Sequence, residues 1–311
     1  MPTIGLFDTL KESDARMLSR IEFDVLDCLF ENRNSVLNEP LSSVLKRDPD
    51  EVKSTLKQLT EKGYIQENQI TDAGYAALDP YKVKRAVFIA AGFGSRLVPV
   101  TLNTPKPLVR VHGKRIIDGL IDSVLAAGIE EIYIVRGYLA EQFDQLLYKY
   151  PMIRFIENPA YNETNNISSA LCARYLFSNA YLFEADLLIR KPELIKRYQY
   201  CSNFLGFFKE RSDDWCFTVK DGYITSQKIG GVNCYQEYGI SFWDEESGKR
   251  LATDIKEAFE QPGGKEMFWD QIPLLLHRDS YKVEIRECSE GDIVEIDTFR
   301  ELKELDKSYD V

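Results

Sequence analysis

The segment from Val87 to Leu108 constrains the fold of this chain more than any other, because an apolar run ends in it at two closely spaced glycines. Val87 to Ala91 is apolar and β-prone, and Gly92-Phe93-Gly94 follows it directly. A buried strand opens in this way into a loop whose backbone approaches a ligand closely. The sequence therefore predicts an α/β domain with a ligand-binding loop, to which Ala90, Ala91, Gly92, Gly94 and Ser95 contribute.

Two cations follow the glycines at fixed spacing. Arg96 stands two residues after Gly94, and Lys106 lies between Pro105 and Pro107. A glycine-rich turn bares backbone N–H groups for anionic oxygens, and an arginine and a lysine nearby suit a polyphosphate. We therefore predict a nucleoside-triphosphate site, with Arg96 and Lys106 as catalytic residues.

Other glycine-rich motifs fail on specific residues. A dinucleotide-binding fingerprint needs a third glycine where this chain has Leu97, and no Gly-Lys-Ser/Thr closes the loop as a P-loop requires. The full pattern resembles the signature Gly-x-Gly-x-Arg-x-x-Pro-x-Thr-x-x-x-Pro-Lys-Pro-Leu of the nucleotidyltransferases that make nucleoside-diphosphate sugars and alcohols. This resemblance implies a Rossmann-like, mostly parallel sheet of the GT-A-like kind.

Composition excludes several other classes. No apolar run approaches the ~18 residues that span a bilayer, and the first residues lack the pattern of a signal peptide. Six cysteines without paired spacing predict reduced thiols in a cytoplasmic protein, and with only two histidines a metal should be a hard cation held by carboxylates. A net charge of −11 argues against general nucleic-acid binding.

Residues 1–80 resemble a winged helix-turn-helix domain. Apolar residues from Met17 to Leu29 and from Val52 to Leu59 recur at helical spacing, and a short polar turn follows Tyr64-Ile65. The segment carries 15 Asp and Glu against 9 Lys and Arg, and Asp48, Asp50 and Glu51 begin the expected recognition helix. Because a phosphate-facing surface should be basic, we expect a regulatory, docking or dimerisation module rather than a DNA-binding domain.

Residues 81–311 form the predicted catalytic domain. Strand and helix patterns alternate along it, as in a mostly parallel sheet that binds ligands at the carboxyl ends of its strands. Asp186 follows an apolar strand, where a carboxylate can hold Mg²⁺ beside a triphosphate. Asp297, in a late strand pattern, is its expected partner, so Asp186 and Asp297 are the predicted metal pair.

The order of several further motifs resembles that of the bacterial CTP:phosphocholine cytidylyltransferases. Among them are Gly137-Tyr138-Leu139-Ala140-Glu141-Gln142-Phe143, Tyr161-Asn162-Glu163-Thr164-Asn165-Asn166, Asp214-Trp215, Phe268-Trp269-Asp270 and Glu295-Ile296-Asp297. The resemblance implies that the glycine loop and a set of later residues hold the cytidine: Gly137, Tyr138, Gln142, Asn165, Asn166 and Ser168. It also implies that aromatic faces and carboxylates hold a trimethylammonium group: Trp215, Phe268, Trp269, Asp270, Glu210 and Asp214.

The sequence thus predicts Mg²⁺-dependent formation of CDP-choline and pyrophosphate from CTP and phosphocholine. A quaternary ammonium donates no hydrogen bond, so aromatic rings and carboxylates are suited to it. Two alternatives stay open. One is a cytidylyltransferase for phosphoethanolamine, 2-aminoethylphosphonate or a sugar 1-phosphate, and the other is a DNA-binding regulator whose nucleotidyltransferase-like domain senses nucleotides.

Overall fold

A computed structural model describes residues 17–33 and 39–310. The chain divides into two compact units, Met1–Lys82 and Val83–Val311. The expectation that the chain begins without a signal peptide concerns residues outside the described ranges.

The described part of the first unit consists of helices and one short hairpin. Ser19 begins the first helix with a capping box, in which its hydroxyl accepts from the Glu22 N–H and the Glu22 carboxylate accepts from the Ser19 N–H. Leu26 of the first helix and Leu59 of the third are fully buried in the core. The elements are α1 (Arg20–Glu31), α2 (Leu41–Leu45), α3 (Pro49–Glu61), β1 (Ile65–Gln66), β2 (Gln69–Ile70) and α4 (Asp72–Leu78).

A seven-stranded sheet organises the second unit, in the order β10-β12-β11-β8-β3-β6-β7. The strands β8, β3, β6 and β7 pair in parallel, whereas β11 pairs antiparallel with β8 and with β10. The sheet is therefore mixed and mostly parallel at its centre, as the α/β pattern predicted. Its strands are β3 (Arg85–Ile89), β6 (Glu131–Arg136), β7 (Arg154–Glu157), β8 (Ala180–Glu184), β10 (Asn203–Lys220), β11 (Tyr223–Trp243) and β12 (Glu284–Glu287).

Helices cover both faces of this sheet. Successive side chains of a strand point to opposite faces, so Phe88 packs in one core layer and Val87 in the other. The first layer contains the buried stripe of α5, and the second contains those of α6 and α7. The remaining elements are β4 (Arg110–Val111), β5 (Lys114–Arg115), α5 (Ile116–Ala126), α6 (Ile167–Ala173), β9 (Leu187–Ile189), α7 (Glu245–Glu260), β13 (Ile293–Glu295) and α8 (Phe299–Leu305).

The hairpin of β10 and β11 is longer than any element that the sequence pattern indicated. Its strands have 18 and 21 residues, and their pairing shifts register between Ser212 and Trp215. Such a shift bends the strands and re-aims side chains near it. The segment after Gly137 forms a 3₁₀ helix (Ala140–Tyr148).

Candidate active site

A cavity of about 550 Å³ lies where β3 and β8 end. Parallel α/β sheets bind ligands at this edge, because the loops that leave the strands meet there. The cavity collects most of the residues predicted from the sequence: Ala90, Ala91, Gly92, Arg96, Lys106, Asn165, Asn166, Ser168, Asp186, Asp214, Trp215, Phe268, Asp270 and Asp297.

Gly94 turns the loop that follows β3. Its φ is +69°, in the left-handed region, and a Cβ at this position would stand 3.0 Å from the Cβ of Lys106. The Thr101 hydroxyl donates to the Gly94 carbonyl at 3.0 Å. Glycine therefore lets the backbone pass close to Lys106, although neither Gly94 nor Ser95 lines the cavity itself.

Three residues predicted to hold cytidine lie outside the cavity lining, and two of them support the loop after β3. The Tyr138 hydroxyl donates to the Thr101 carbonyl at 2.8 Å, and Gln142 Nε2 donates to the Asn103 carbonyl at 2.8 Å. A Cβ on Gly137 would stand 2.6 Å from Tyr161. Gly137, Tyr138 and Gln142 thus pack against neighbouring protein groups and lie outside the cavity lining, and their predicted contacts with cytidine stay a prediction.

The cations of the loop pair with carboxylates that reach the cavity from later in the chain. Lys106 Nζ lies 2.7 Å from Asp186 Oδ2 and 3.0 Å from Asp297 Oδ1, and Arg96 Nη2 lies 2.7 Å from Asp297 Oδ1. Burial acts to lower the pKa of Lys106, but attraction by the two aspartates outweighs it and raises that pKa. Lys106 is therefore a permanent cation inside the site.

A second set of carboxylates stands beside Asp186. Glu184, Asp186 and Glu295 each offer an oxygen, and these oxygens lie within 4.8 Å of one another. Burial, reinforced by the charge of Asp186, raises the pKa of Glu184 to about 8. Asp186 Oδ1 is buried and accepts no hydrogen bond from the described residues. An oxygen-only donor set with an unpartnered oxygen suits a hard divalent cation such as Mg²⁺.

This grouping differs in one respect from the predicted metal pair. Asp186 belongs to the carboxylate group, but Asp297 accepts from both Lys106 and Arg96 through Oδ1. Glu184 and Glu295, rather than Asp297, complete the set of closely spaced oxygens around Asp186.

Two aromatic rings reach the cavity next to further carboxylates. Trp215 and Phe268 meet edge to face, with ring centroids 5.9 Å apart. Asp270 and Glu237 line the same cavity, and Glu237 comes from β11. We call Trp215, Phe268, Glu237 and Asp270 the acceptor wall.

Trp269 and Glu210, which were also predicted to hold the trimethylammonium group, lie outside the cavity lining and are not part of this wall. Trp269 is 3% exposed, and its ring stacks on Phe204 in the core with centroids 6.0 Å apart. Consecutive residues face opposite ways here, so Phe268 takes the cavity side and Trp269 the core side. Glu210 is exposed on β10 and lies outside the cavity lining.

Several lining residues were not identified as site residues from the sequence: Asn158, Ser169, Glu184, Glu237 and Gly239. Glu184 had a signal, because it stands two residues before Asp186 at the end of the same apolar strand. Glu237 had none, since its position depends on the pairing of β11 with β10.

Comparison with known proteins agrees with this geometry. Residues 85–221 match the family model described as Nucleotidyl transferase. The 2-aminoethylphosphonate cytidylyltransferase of Lancefieldella rimae is 35% identical over 228 residues, which are 72% of this chain and 92% of that protein. The choline-phosphate cytidylyltransferase of Streptococcus pneumoniae is 30% identical over 72% of this chain and 97% of its own length.

Solved structures show the same architecture. A CTP:phosphocholine cytidylyltransferase of Streptococcus pneumoniae superposes with a TM-score of 0.68 at 28% identity, over 73% of this chain and 99% of that one. An apo UDP-glucose pyrophosphorylase, at 16% identity and a TM-score of 0.57, shares the fold. The chain therefore belongs to the nucleotidyl transferase family and is a nucleotidyltransferase enzyme. The match covers these two cytidylyltransferases over 92% and 97% of their length, which places the chain among the cytidylyltransferases of that family.

Within residues 17–33 and 39–310, no helix combines the length and apolar character that a membrane span requires.

Proposed function

We propose that the protein transfers a cytidylyl group from CTP to a small phosphate or phosphonate that also carries a cationic nitrogen, with phosphocholine as the first candidate. One observation supports this most strongly: a single cavity presents two cations, Arg96 and Lys106, together with an acceptor wall of aromatic rings and carboxylates. A zwitterionic acceptor and an anionic nucleotide need these two kinds of surface together.

The loop after β3 is suited to the triphosphate. Arg96 and Lys106 pair only with carboxylates in the described structure, and anionic phosphate oxygens can replace those partners. Asn165, Asn166 and Ser168 offer amide and hydroxyl groups at the same cavity, and we assign them to the cytidine.

The proposed reaction is an in-line displacement. An oxygen of the acceptor's phosphorus group forms a bond to the α-phosphorus of CTP, and the bond from that phosphorus to the bridging oxygen of the β-phosphate breaks. Pyrophosphate leaves with the electron pair. The nucleophile is already an anion, so no general base is required, and Lys106 and Arg96 stabilise the charge that develops on the phosphate oxygens.

Mg²⁺ is the cofactor that we propose for this reaction. Asp186, Glu184 and Glu295 would hold it, with Asp297 nearby. When bound, Mg²⁺ neutralises phosphate charge and helps to orient the triphosphate. The unpartnered Asp186 Oδ1 supports this assignment.

Phosphocholine fits the ring faces of the acceptor wall. Trp215 and Phe268 supply π faces, which bind a trimethylammonium group at ~0.5–2 kcal/mol per contact. Because Trp269 is buried in the core, Trp215 and Phe268 are the two predicted aromatic residues that we assign to the trimethylammonium group. Asp270 and Glu237 add negative charge beside the rings. This charge attracts the trimethylammonium group even though that group cannot donate a hydrogen bond.

A second candidate acceptor is 2-aminoethylphosphonate. Its primary ammonium has three N–H donors, and Asp270 and Glu237 offer carboxylate oxygens that can accept them. The match to the Lancefieldella rimae enzyme, which bears this substrate in its name, also supports it. The carboxylates favour this acceptor, and the two rings favour phosphocholine.

Pyrophosphate release tests the proposal directly. CTP, UTP, dTTP and ATP are each combined with phosphocholine, phosphoethanolamine, 2-aminoethylphosphonate or glucose 1-phosphate, in the presence of Mg²⁺. We expect turnover with CTP and a zwitterionic acceptor, and its loss in Asp186→Ala. Turnover only with glucose 1-phosphate would refute the assignment of the acceptor wall. No turnover with any pair would favour a nucleotide-sensing regulator.

For residues 1–80 we propose a winged-helix-like module that docks a partner or regulates the enzyme. Three helices followed by an antiparallel hairpin, in which Ile65 faces Ile70, support the likeness. Asp48 caps α3 by accepting from the N–H groups of Asp50 and Glu51. This acidic helix start argues against phosphate contacts there. An electrophoretic mobility shift with DNA fragments at low salt tests that reading, and specific retardation would contradict it.

A further inference from the structure

Gln227 is a buried glutamine of β11 that does not itself line the cavity. Its Nε2 donates to Glu237 Oε2 at 2.7 Å and also to Asp270 Oδ2. One amide group thus joins two carboxylates of the acceptor wall, Glu237 and Asp270, which stand 10 and 43 residues from Gln227 in the chain. Its own Oε1 is buried and has no hydrogen-bond partner among the described residues. Donation to the two carboxylates therefore sets the orientation of this amide.

We propose that Gln227 is a positioning residue for acceptor recognition: it holds Glu237 and Asp270 together as a joint counter-charge for the cationic nitrogen of the acceptor. This inference rests on the proposed function and names the element that makes the enzyme select a cationic acceptor. It assigns Gln227 no contact with substrate.

The electrostatics of the pair supports a joint role. Burial raises the pKa of Glu237 well above its usual range, and the charge of Asp270 adds to this effect. Burial likewise raises the pKa of Asp270, whereas hydrogen bonding from Gln227 acts to lower both. Two adjacent buried carboxylates do not readily ionise together, so the empty pair retains a proton to higher pH than an isolated carboxylate does.

Other charged groups act on the pair from neighbouring elements. Glu184 at the end of β8 and Glu295 at the end of β13 raise the pKa of Glu237 further by repulsion. The backbone N–H groups of Asp270 and Gln271 act to lower the pKa of Asp270. Lys106 attracts Glu184 and Glu295 and acts to lower their pKa values. The pair itself therefore has Gln227 as its bridging hydrogen-bond donor and lacks a cation of its own among the described contacts.

An acceptor with a cationic nitrogen supplies that cation. Its arrival favours full ionisation of Glu237 and Asp270, so binding releases the retained proton to solvent. An acceptor without a cationic nitrogen, such as glucose 1-phosphate, gives no such compensation and leaves the pair partly protonated. Acceptor affinity should therefore rise with pH across the titration of the pair, and Gln227 sets the pH at which it rises.

The test replaces Gln227 with methionine, which keeps the length of the side chain and removes the donor. KM for the acceptor, KM for CTP and kcat are measured from about pH 6.5 to about pH 9, a range that lies above the ordinary pKa of a carboxyl group. Gln199→Met is the matched control, because Gln199 is also buried and bonds Tyr181 and Asn203 away from the cavity. Thermal unfolding of both variants reports any general loss of structure.

We expect Gln227→Met to raise the acceptor KM about 10-fold to 100-fold, because a buried hydrogen-bond network is broken, while KM for CTP stays within about twofold. In the wild-type enzyme the acceptor KM should fall as pH rises. In Gln227→Met this fall should occur at higher pH, because the amide that stabilises the ionised carboxylates of Glu237 and Asp270 is missing. The phosphate or phosphonate of the acceptor also titrates, but it does so equally with the wild-type enzyme and with Gln227→Met. The difference between the two pH profiles therefore reports the enzyme's own groups. Gln199→Met should leave KM values and the pH profile unchanged.

Two results would overturn the inference while leaving the proposed function intact. One is an acceptor KM and pH profile of Gln227→Met equal to those of the wild-type enzyme. The other is an equal rise of KM for CTP and acceptor, or a loss of kcat and thermal stability with the pH midpoint unmoved, as a purely structural glutamine would give. Absence of turnover in the wild-type enzyme would instead refute the proposed function.

Discussion

Replacing Lys106 with methionine should separate the catalytic role of this lysine from its role in stability. Methionine retains most of the apolar stem and removes the ammonium group that lies 2.7 Å from Asp186 and 3.0 Å from Asp297. At an effective dielectric constant of ~20, these distances correspond to gross attractions of about 6 and about 5.5 kcal/mol. The cost of burying the ammonium offsets much of this, and breaking a buried pair typically destabilises by ~3–5 kcal/mol.

We expect the low end of that range, about 3 kcal/mol, because Arg96 continues to neutralise Asp297 after the substitution. The pKa of Lys106 is raised above 10.5, so its contribution to stability is complete below that pH and is lost only as pH rises through the folded-state pKa. Urea unfolding at about pH 8 therefore measures the whole contribution.

The loss of activity should exceed the loss of stability. Lys106 would stabilise charge that develops on the phosphate oxygens, and removal of one such preorganised donor costs about 100-fold to 1,000-fold in kcat. Pyrophosphate release under saturating substrates measures this at a temperature well below the unfolding transition.

Lys149→Met is the matched control for this substitution. Lys149 lies 2.9 Å from Asp122 in a pair that is half exposed on both sides. Such surface pairs contribute less than ~1 kcal/mol, so stability should change by less than that and kcat should not change. A Lys106→Met enzyme that keeps kcat within about threefold of wild type would refute the catalytic role given to Lys106.

Three further predictions concern the acceptor wall and the domain organisation. Glu237→Gln should raise the free energy of unfolding at about pH 8 without ligands, because the native carboxyl has a raised pKa and stability is lost as pH rises from 4.5 through it. Urea titrations should show this gain disappearing below pH 4.5, and a gain that is independent of pH would contradict it. Trp269→Ala should cost ~3–5 kcal/mol of unfolding free energy, as a buried core ring does, whereas Trp215→Ala should cost under ~1 kcal/mol and raise KM for phosphocholine about 2-fold to 30-fold. Equal stability losses in the two tryptophan variants would show that the core assignment is wrong. Residues 83–311 alone should keep kcat within about twofold, because relatives aligned over 92% and 97% of their length match only 72% of this chain. A tenfold loss in that truncated protein, with its fold intact by circular dichroism, would show that the first unit contributes to catalysis.

The parts of the fold that local sequence patterns determine were predictable. The apolar run of β3 was predictable from periodicity: the predicted run is Val87 to Ala91, and the strand is Arg85–Ile89. The signature loop and Asp186 were predictable for the same reason, since a strand end followed by glycines or a carboxylate is a local pattern.

Other parts depend on contacts between distant residues. The register of β10 against β11 shifts at several points, and it decides that Glu237 and Gln227 come together with Asp270. Phe268 and Trp269 are adjacent aromatic residues, so the sequence pattern could not show which of them faces the cavity. In the structure Phe268 lines the cavity and Trp269 lies in the core. The support given to the loop by Tyr138 is likewise a tertiary hydrogen bond.

The long hairpin described above separates two tasks along the chain. Arg96 and Lys106 come from the loop after β3, whereas Trp215, Gln227 and Glu237 all come from β10 and β11. A change of sequence between residues 203 and 243 can therefore alter which molecule is activated without touching the parts that handle the nucleotide. The wall also takes Phe268 and Asp270 from a later segment, so the hairpin and that segment together form the exchange unit: grafting both between homologous enzymes should transfer acceptor preference.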